Sequence, residues 1–463
     1  MTTEAVRRAA RVKWYTEARF GLSLHYGLYS LIGRGEWVRS IEQMEEGEYM
    51  RYFNEFSPKE GCAREWARAA REAGARYVVL TAKHHDGFCL FDSALTDYKS
   101  TNTPAKRDIV GEYVEAVRGE GLRVGLYYSL VDWHHPDYPA YGDRQHPLRH
   151  KAEARERDKG CVWERYVEYM HGQVRELCTQ YGRIDVLVFD FSYWEYYGEK
   201  WRATELMRLI RELQPEVVVN DRLGREAIKE VERPGYAGDY DQAEMDIPRE
   251  QVRNKGGEVI PWESWFPISN SWAYNPSDQE YKEAGTIIRA LVNCVSKGGN
   301  LLLNVAPGPW GELDGRTWAT LREIGEWLGV NGESVYGCGP AALGKPEWGR
   351  WTQKGGYLYA HIMEPVIGHI SLEGLRGKVK SAYVLATRRP AILCDYWNPG
   401  IQTFDGPSDI FLNFGRPVQY TWALPDGRDT VVRLEYTTEE ECARLLEEYR
   451  EEFARATARV PFP

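Results

Sequence analysis

The chain has 463 residues, enough for two domains with sizeable hydrophobic cores. Its formal net charge of −10 and its pI of about 5.7 disfavour a nucleic-acid or anionic-membrane surface, so neither partner is expected. The eight cysteines lack Cys-x-x-Cys pairs, and no apolar segment resembles a signal peptide or a membrane span, so a cytoplasmic location is expected.

Short apolar runs alternate with amphipathic stretches between about residues 19 and 330, the pattern of parallel strands joined by crossover helices. Seven strands are predicted, over residues 20–24, 77–81, 123–128, 184–190, 217–221, 259–263 and 301–305. Six helices are predicted, over residues 62–73, 110–119, 162–180, 201–213, 282–295 and 314–328. The fold class is therefore α/β, with an irregular (β/α) barrel of the TIM type over residues 1–335.

The pattern changes after residue 332 to short alternating stretches separated by Gly, Pro and Asp. This predicts a small antiparallel β-sandwich over residues 336–437. Residues 438–463 are rich in Glu, Arg and Ala with apolar residues at helical spacing, which predicts a helix over 438–460. That helix packs either on the body of the protein or on a partner subunit, so a homo-oligomer is one expectation.

Polar residues follow six of the predicted strands: His25, Lys83 to Phe88, Asp132 to His135, Asp190, Asn220 to Arg222, and Trp262 with Glu263. The carboxyl ends of the strands of a parallel barrel meet at one mouth, where active sites are built. The block at residues 83–88 is the densest, and burying its ionisable groups is costly unless they recognise something. We therefore expect these residues to converge on one functional site.

Two carboxylates are candidates for chemistry at this mouth. Asp190 ends a strand, and a cation such as Arg222 could lower its pKa and keep it ionised as a nucleophile. Glu263 lies between Trp262 and Trp265, and an apolar surround raises a carboxyl pKa towards the range of a general acid. Such a pair suits glycoside cleavage. The alternatives are a capping role for Asp190 and a structural role for Glu263. Other candidate acids are Glu36, Asp239, Asp241 and Glu244.

His84 and His85 are adjacent, so their side chains diverge and are poorly placed to bind one metal together. Neutral imidazole offers one donor and one acceptor, which suits hydrogen bonds to sugar hydroxyls. The 17 Trp and 30 Tyr also suit a sugar site, because aromatic rings stack on the C–H faces of a pyranose. A mononuclear metal site formed by His25, one of the two histidines and Asp86 is the alternative.

These motifs, taken in order, resemble those of the α-L-fucosidases of glycoside hydrolase family 29. The main carriers are residues 19–27, Glu36-Trp37, residues 83–88, residues 185–190, residues 220–222, Trp262-Glu263 and residues 298–304. The resemblance implies a retaining exo-glycosidase that hydrolyses terminal α-L-fucosyl residues of oligosaccharides or glycoconjugates through a covalent glycosyl-enzyme. The partner that it implies is a small-molecule glycoside substrate, and it implies no metal or organic cofactor. It implies Asp190 as the nucleophile and Glu263 as the acid/base. The substrate-binding residues that it implies are His25, Glu36, Trp37, His84, His85, Tyr127, Arg222 and Trp262.

The chain departs from the family pattern at two positions near the nucleophile. Val188 stands where many members carry Trp, and Phe191 stands where Gly often follows the nucleophile. The long acidic stretch at 225–258 could also carry a different general acid. The remaining alternatives are a retaining glycosidase for a related sugar, such as a galactoside, and a catalytically silent carbohydrate-binding protein.

Overall fold

The computed structural model describes residues 3–193, 195–365, 370–394, 408–414, 424–436, 444 and 451. The chain forms two compact units that interleave in sequence. The first comprises Met1–Lys282 and Gly299–Gly325, and the second comprises Glu283–Gly298 and Glu326–Pro463. The domain prediction placed boundaries after residues 335 and 437.

The first unit is built on eight parallel strands. They are β1 Phe20–Leu24, β2 Tyr77–Lys83, β3 Arg123–Ser129, β4 Val186–Asp190, β5 Val218–Val219, β6 Asp241–Glu244, β7 Trp262–Pro267 and β8 Asn300–Val305. Their order is β5-β4-β3-β2-β1-β8-β7-β6, and a parallel bridge between Asn220 and Tyr240 joins the two edge strands. The strands therefore form a barrel, and side chains from both apolar and polar residues fill its interior.

The strand predictions differ from the structure at two places that matter for the site. β6 was not predicted, because Asp-Gln-Ala-Glu at 241–244 has neither an apolar run nor regular alternation. β7 begins at Trp262 rather than at residue 259, so Glu263 lies near the start of its strand and not at the end. This shift moves Glu263 away from the carboxyl ends of the strands.

Eleven α-helices occur in the described part of the chain. They are α1 Thr3–Ala18, α2 Tyr29–Ile32, α3 Val38–Ile41, α4 Glu46–Glu55, α5 Cys62–Glu72, α6 Ile109–Gly119, α7 Ala152–Asp158, α8 Trp163–Gln180, α9 Ala203–Leu213, α10 Ala284–Val295 and α11 Gly315–Asn331. The six predicted helices correspond to α5, α6, α8, α9, α10 and α11. The β5–β6 and β6–β7 connections, all of whose residues are described, carry no α-helix. The barrel is therefore irregular, as predicted.

The second unit contains a β-sandwich. One antiparallel sheet has the order β12-β15-β10-β9 and the other has the order β11-β14-β13. The strands are β9 Gly349–Lys354, β10 Tyr357–Ile362, β11 Ile370–Leu372, β12 Val379–Val384, β13 Ile392–Cys394, β14 Ile410–Asn413 and β15 Thr430–Tyr436. Buried residues of both sheets share one hydrophobic core. This confirms the predicted sandwich.

Helix α10 belongs to the second unit although it lies between β7 and β8 in sequence. The guanidinium of Arg350 on β9 donates to the side-chain oxygen of Asn293 at 3.0 Å, and Arg289 donates to the carbonyl of Arg428 at 3.1 Å. The predicted helix over 438–460 lies outside the described residues except for Arg444 and Glu451. None of the described helices is both long enough and apolar enough to cross a lipid bilayer.

Candidate active site

A cavity at the carboxyl ends of the barrel strands collects most of the predicted site residues. Those lining it are His25, Glu36, Trp37, His84, His85 and Asp190, together with Phe191, Tyr193, Glu244, Trp265 and Trp272. His25 follows β1, His84 and His85 follow β2, and Asp190 and Glu244 end β4 and β6. The mouth of the barrel is thus where these polar residues converge, for the topological reason given above.

Asp190 is held by three donors at the end of β4. Its Oδ2 accepts from the Tyr127 hydroxyl at 2.9 Å, and its Oδ1 accepts from Arg222 Nη1 at 2.6 Å and from the Phe191 amide at 2.8 Å. Burial, the largest single effect, raises the pKa of Asp190, but the Arg222 charge together with the hydrogen bonds from Arg222 and Tyr127 outweighs it and holds the pKa below its usual range. Asp190 is therefore ionised at neutral pH, as a carboxylate nucleophile must be.

Arg222 joins Asp190 to a second carboxylate in the cavity. Its Nη2 donates to Glu244 Oε2 at 2.7 Å while its Nη1 contacts Asp190. The Glu244 side chain remains 34% exposed, whereas the guanidinium between the two acids is 2% exposed. Contact with one guanidinium is compatible with the spacing of about 5–5.5 Å that separates the two carboxyl groups of retaining glycosidases.

Glu263 does not line this cavity, which corrects the placement expected from the sequence. Side chains alternate along a strand, so Glu263 and Trp265 both face the barrel interior, with Glu263 the deeper of the two. The strand register pairs Glu263 with Gln242 and pairs Trp265 with Glu244. Glu244 is therefore on the cavity layer, and Glu263 is one layer below it.

Glu263 instead organises a polar cluster inside the barrel, where it is fully buried. Its Oε2 accepts from the hydroxyls of Tyr15, at 2.8 Å, and Tyr77, and its Oε1 accepts from Gln242 Nε2 at 2.9 Å. Burial raises the pKa of Glu263 to about 7 despite these donors. These surroundings favour the structural role for Glu263 that the sequence left open as an alternative.

The raised pKa of Glu263 predicts a pH-dependent stability. Because the folded-state pKa lies above the ordinary value of 4.5, the folded protein favours the protonated carboxyl, and stability falls as pH rises from below 4.5 through about 7. Between pH 5 and 8 the wild type should lose about 2–3 kcal/mol more free energy of unfolding than Glu263→Gln. Urea denaturation of both proteins at the two pH values measures this difference, and equal losses would contradict it.

Trp262 also lies away from the cavity, contrary to its expected role in substrate binding. It is buried, and its indole packs so closely on Gly299 that a side chain at that glycine would collide with the ring. The cavity uses Trp265 and Trp272 instead, whose rings pack edge to face at a centroid distance of 4.7 Å. The sequence motif contains both Trp262 and Trp265, so it indicated that a tryptophan lines the site. The strand register was needed to identify Trp265 as the one that faces the mouth.

Hydrogen bonds determine the tautomer of His25. Asn304 Nδ2 donates to the carbonyl of Trp272 at 2.6 Å, so its Oδ1 is left to accept from His25 Nδ1 at 2.7 Å. Burial lowers the pKa of His25 to about 4, so the ring is neutral. With Nδ1 as the donor, Nε2 carries the lone pair and can accept a hydrogen bond from a sugar hydroxyl.

His85 is arranged in the same way by Ser129. The Ser129 hydroxyl donates to the carbonyl of Val131 at 2.8 Å, so it accepts from His85 Nδ1 at 2.7 Å. Burial lowers the pKa of His85 to about 4 and holds that of His84 well below its usual value, which keeps both rings neutral. His84 Nδ1 is buried without a partner in the described structure. These histidines are hydrogen-bonding groups for a neutral polar ligand.

Glu36 supplies a further buried polar group to the cavity wall. Its Oε2 accepts from the Ala273 amide at 3.1 Å, and burial raises its pKa to about 7. A protonated carboxyl donates one hydrogen bond and an ionised one only accepts, so either form can bind a hydroxyl.

The metal site considered as an alternative, formed by His25, one of His84 and His85, and Asp86, is not assembled in the described part of the chain. The Asp86 carboxylate accepts from the Tyr49 hydroxyl at 2.8 Å and from the Phe88 amide at 3.2 Å. Over the described ranges, no group of three or more His, Cys, Asp or Glu side chains is arranged to hold a metal ion.

The two departures from the family pattern have different positions. Val188 is buried in the barrel core two residues before Asp190 and does not line the cavity. Phe191 does line it and adopts a φ of +78°, a conformation that costs about 1–3 kcal/mol for a residue with a side chain. Its ring contacts those of His85 and Trp37 at centroid distances of 4.9 and 5.8 Å. Phe191 therefore forms an aromatic wall that glycine could not provide.

The sequence is similar to those of known proteins over most of its length. The sequence model of the family described as "Alpha-L-fucosidase" matches residues 1–333. The α-L-fucosidase of Dictyostelium discoideum is 30% identical over 383 residues, which cover 76% of this chain and 77% of that protein.

Solved structures show the same likeness. Isoenzyme 1 of α-L-fucosidase from Paenibacillus thiaminolyticus is 50% identical, with a TM-score of 0.89 over 93% of this chain and all of that one. A GH29 α-L-fucosidase from Bacteroides thetaiotaomicron, solved as a trapped covalent intermediate with 2-fluoro-fucosyl fluoride in a glutamate-to-glutamine variant, is 26% identical. Its TM-score is 0.76 over 93% of this chain and 96% of that one.

Proposed function

Because the chain belongs to the α-L-fucosidase family, glycoside hydrolase family 29, we propose that Asp190 and Glu244 carry out its hydrolysis of terminal α-L-fucosyl residues. The protein is a retaining α-L-fucosidase, and the assignment of the acid/base to Glu244 replaces the expectation for Glu263. The observation that carries the assignment is the Arg222 guanidinium, which contacts both carboxylates in one cavity.

In the first step Asp190 attacks the anomeric carbon while Glu244 gives its proton to the glycosidic oxygen, and the C–O bond to the leaving group breaks. Arg222 and Tyr127 orient the Asp190 carboxylate for this attack. In the second step Glu244 removes a proton from water, and the water oxygen displaces Asp190 from the anomeric carbon. Two inversions release fucose with its original configuration.

Exposure to solvent supports Glu244 in the acid/base role. An acid/base must reach both the leaving oxygen and the incoming water, and it must exchange its proton with the surroundings in each cycle. Glu244 is 34% exposed in the cavity, whereas Glu263 is fully buried and has donors on both oxygens.

Sugar recognition is proposed to rest on the remaining cavity residues. The Nε2 lone pairs of His25 and His85 accept from sugar hydroxyls, and Glu36 binds a further hydroxyl. Trp37, Trp265, Trp272 and Phe191 supply apolar surface for the C–H groups of the ring. Neutral polar groups beside aromatic rings suit an uncharged deoxy sugar.

The stereochemical course tests the proposed chemistry. Proton NMR of a reaction with an aryl α-L-fucoside should show α-L-fucose as the first product, with the β anomer appearing only through mutarotation. A panel of nitrophenyl glycosides should show the fucoside cleaved faster than the corresponding galactosides. Initial formation of β-L-fucose would contradict the double displacement, and a preference for a galactoside would contradict the sugar assignment.

Two further expectations remain proposals. We propose a cytoplasmic location, supported by the free thiols of Cys62, Cys89, Cys161, Cys178 and Cys394, and subcellular fractionation would test it. A homo-oligomer is the second, and light scattering of the full chain would test it.

A further inference from the structure

A second cavity of about 330 Å³ in the first unit is unusually rich in arginine. Helix α1 contributes Glu4, Arg8 and Arg11, α9 contributes Arg208 and Arg211, and the β5–β6 connection contributes Arg233. None of these residues lines the fucosidase cavity. The adjacent Asp239 lies just before β6, whereas Glu244 ends that strand, so this cavity is at the opposite end of β6 from the mouth.

The Asp239 carboxylate beside these arginines already accepts four hydrogen bonds. Fully buried Asp239 accepts from Arg11 at 2.8 and 3.2 Å, from Arg211 at 2.6 Å, and from the Val219 amide at 3.0 Å. Glu4 accepts from Arg11 at 3.2 Å. Five guanidiniums line the cavity with one carboxylate, Glu4, while Asp239 lies beside it, and Glu258 near Arg233 and Glu205 near Arg208 are outside the lining. The lining therefore carries a local excess of positive charge in a chain whose net charge is −10.

Three of these arginines, Arg8, Arg208 and Arg233, donate no hydrogen bond to any residue that the structure describes. Arg8 Nε is buried without a hydrogen bond, and the nearest oxygen of Asp239 is 3.9 Å away. Arg208 and Arg233 form no ion pair with any residue that the structure describes. Burial lowers the pKa of Arg8 and of Arg233, and the neighbouring Arg233 charge lowers that of Arg8 further. A bound anion would accept hydrogen bonds from these guanidinium donors and would reduce the charge repulsion between Arg8 and Arg233.

We propose that this cavity binds a tetrahedral oxyanion, a phosphate or sulfate group either free or carried as a monoester on a small molecule. Guanidinium groups match the oxygens of such anions with paired, charge-assisted hydrogen bonds. The anion contacts Arg8 on α1, Arg208 on α9 and Arg233 on the β5–β6 connection, and so links three segments at the amino end of the barrel. The site is independent of fucoside hydrolysis, because it shares no residue with the catalytic cavity.

Thermal unfolding and calorimetric titration of the full chain with inorganic phosphate test this site. At constant ionic strength, saturating phosphate should raise the wild-type Tm by about 2–4 °C relative to chloride. Arg233→Gln and Arg208→Gln should each weaken phosphate binding about tenfold or more, because each removes a charged donor. Neither variant breaks an ion pair of the described structure, and both should retain kcat/KM for an aryl fucoside.

The matched control is Arg64→Gln, at an exposed arginine on α5 away from the cavity, which should bind phosphate like the wild type. Parallel titrations with sulfate and glycerol phosphate distinguish the sources of the anion. Tighter binding of glycerol phosphate than of phosphate assigns the site to a monoester, and the reverse order assigns it to a free anion. Absence of saturable binding to the wild type, or wild-type affinity in both cavity variants, would overturn the proposal.

Discussion

Asp190→Ala is expected to lower kcat/KM for an aryl α-L-fucoside by about 10⁴-fold or more, because no other group can form the covalent intermediate at that position. Asp190 is the carboxylate that Arg222 and Tyr127 keep ionised and oriented at the end of β4. Steady-state kinetics at several enzyme concentrations measure the loss. Circular dichroism checks that the variant remains folded.

Azide provides a second readout for the same variant. The small anion can occupy the space vacated by the carboxylate and attack the anomeric carbon from the same face, so added azide should restore turnover and produce a fucosyl azide of inverted configuration. Asp185→Ala is the matched control, because Asp185 precedes β4 and pairs with Arg123 and Arg183 outside the cavity. Near-normal activity of Asp190→Ala would refute the nucleophile assignment.

Glu244→Gln is expected to lower kcat for a fucoside with a poor leaving group by about 10²–10⁴-fold. Glutamine preserves the shape of the side chain but cannot donate the carboxyl proton to the glycosidic oxygen. A dinitrophenyl fucoside, whose leaving group departs without protonation, should lose much less in its fucosylation step. Comparison of kcat/KM for the two substrates therefore isolates proton donation from binding.

Glu263→Gln is the paired variant that separates the two candidate acids. Since Glu263 lies one layer below the cavity, its replacement should change stability and keep the pH–rate profile close to that of the wild type. Glu244→Gln should instead lower the rate for the substrate with the poor leaving group across the pH range. The opposite pattern, with activity lost in Glu263→Gln and kept in Glu244→Gln, would restore the assignment based on the sequence motif.

Much of the site could be predicted because its residues follow recognisable strands. His25, His84, His85 and Asp190 each lie at the end of an apolar run, and parallel topology requires such ends to meet. Glu244 could not be identified in this way, because β6 is a short polar strand without an apolar pattern. Its only sequence signal was membership of the acidic stretch at 225–258.

The residues that set the tautomers of His25 and His85 could not be predicted from the sequence either. Asn304 lies on β8, about 280 residues from His25 in sequence, and Ser129 ends β3, well away from His85. Nothing in the local pattern around either histidine specifies these contacts. The arginine cavity is a similar case, since its five guanidiniums come from three separate segments.

The amino-acid sequence by itself determined the barrel, the sandwich and the position of Asp190 at the end of a strand, because apolar periodicity and the polar residues at strand ends are local properties of the chain. Only the tertiary structure shows that Glu244 lines the cavity and that Glu263 lies one layer below it. A difference of three residues in where β7 begins changes the depth of Glu263 in the barrel, and that register depends on the pairing of β7 with β6 and β8. The burial of Glu263, the access of protons to Glu244 and the contacts of Arg222 with Asp190 and Glu244 follow from that pairing. The linear sequence does not specify them.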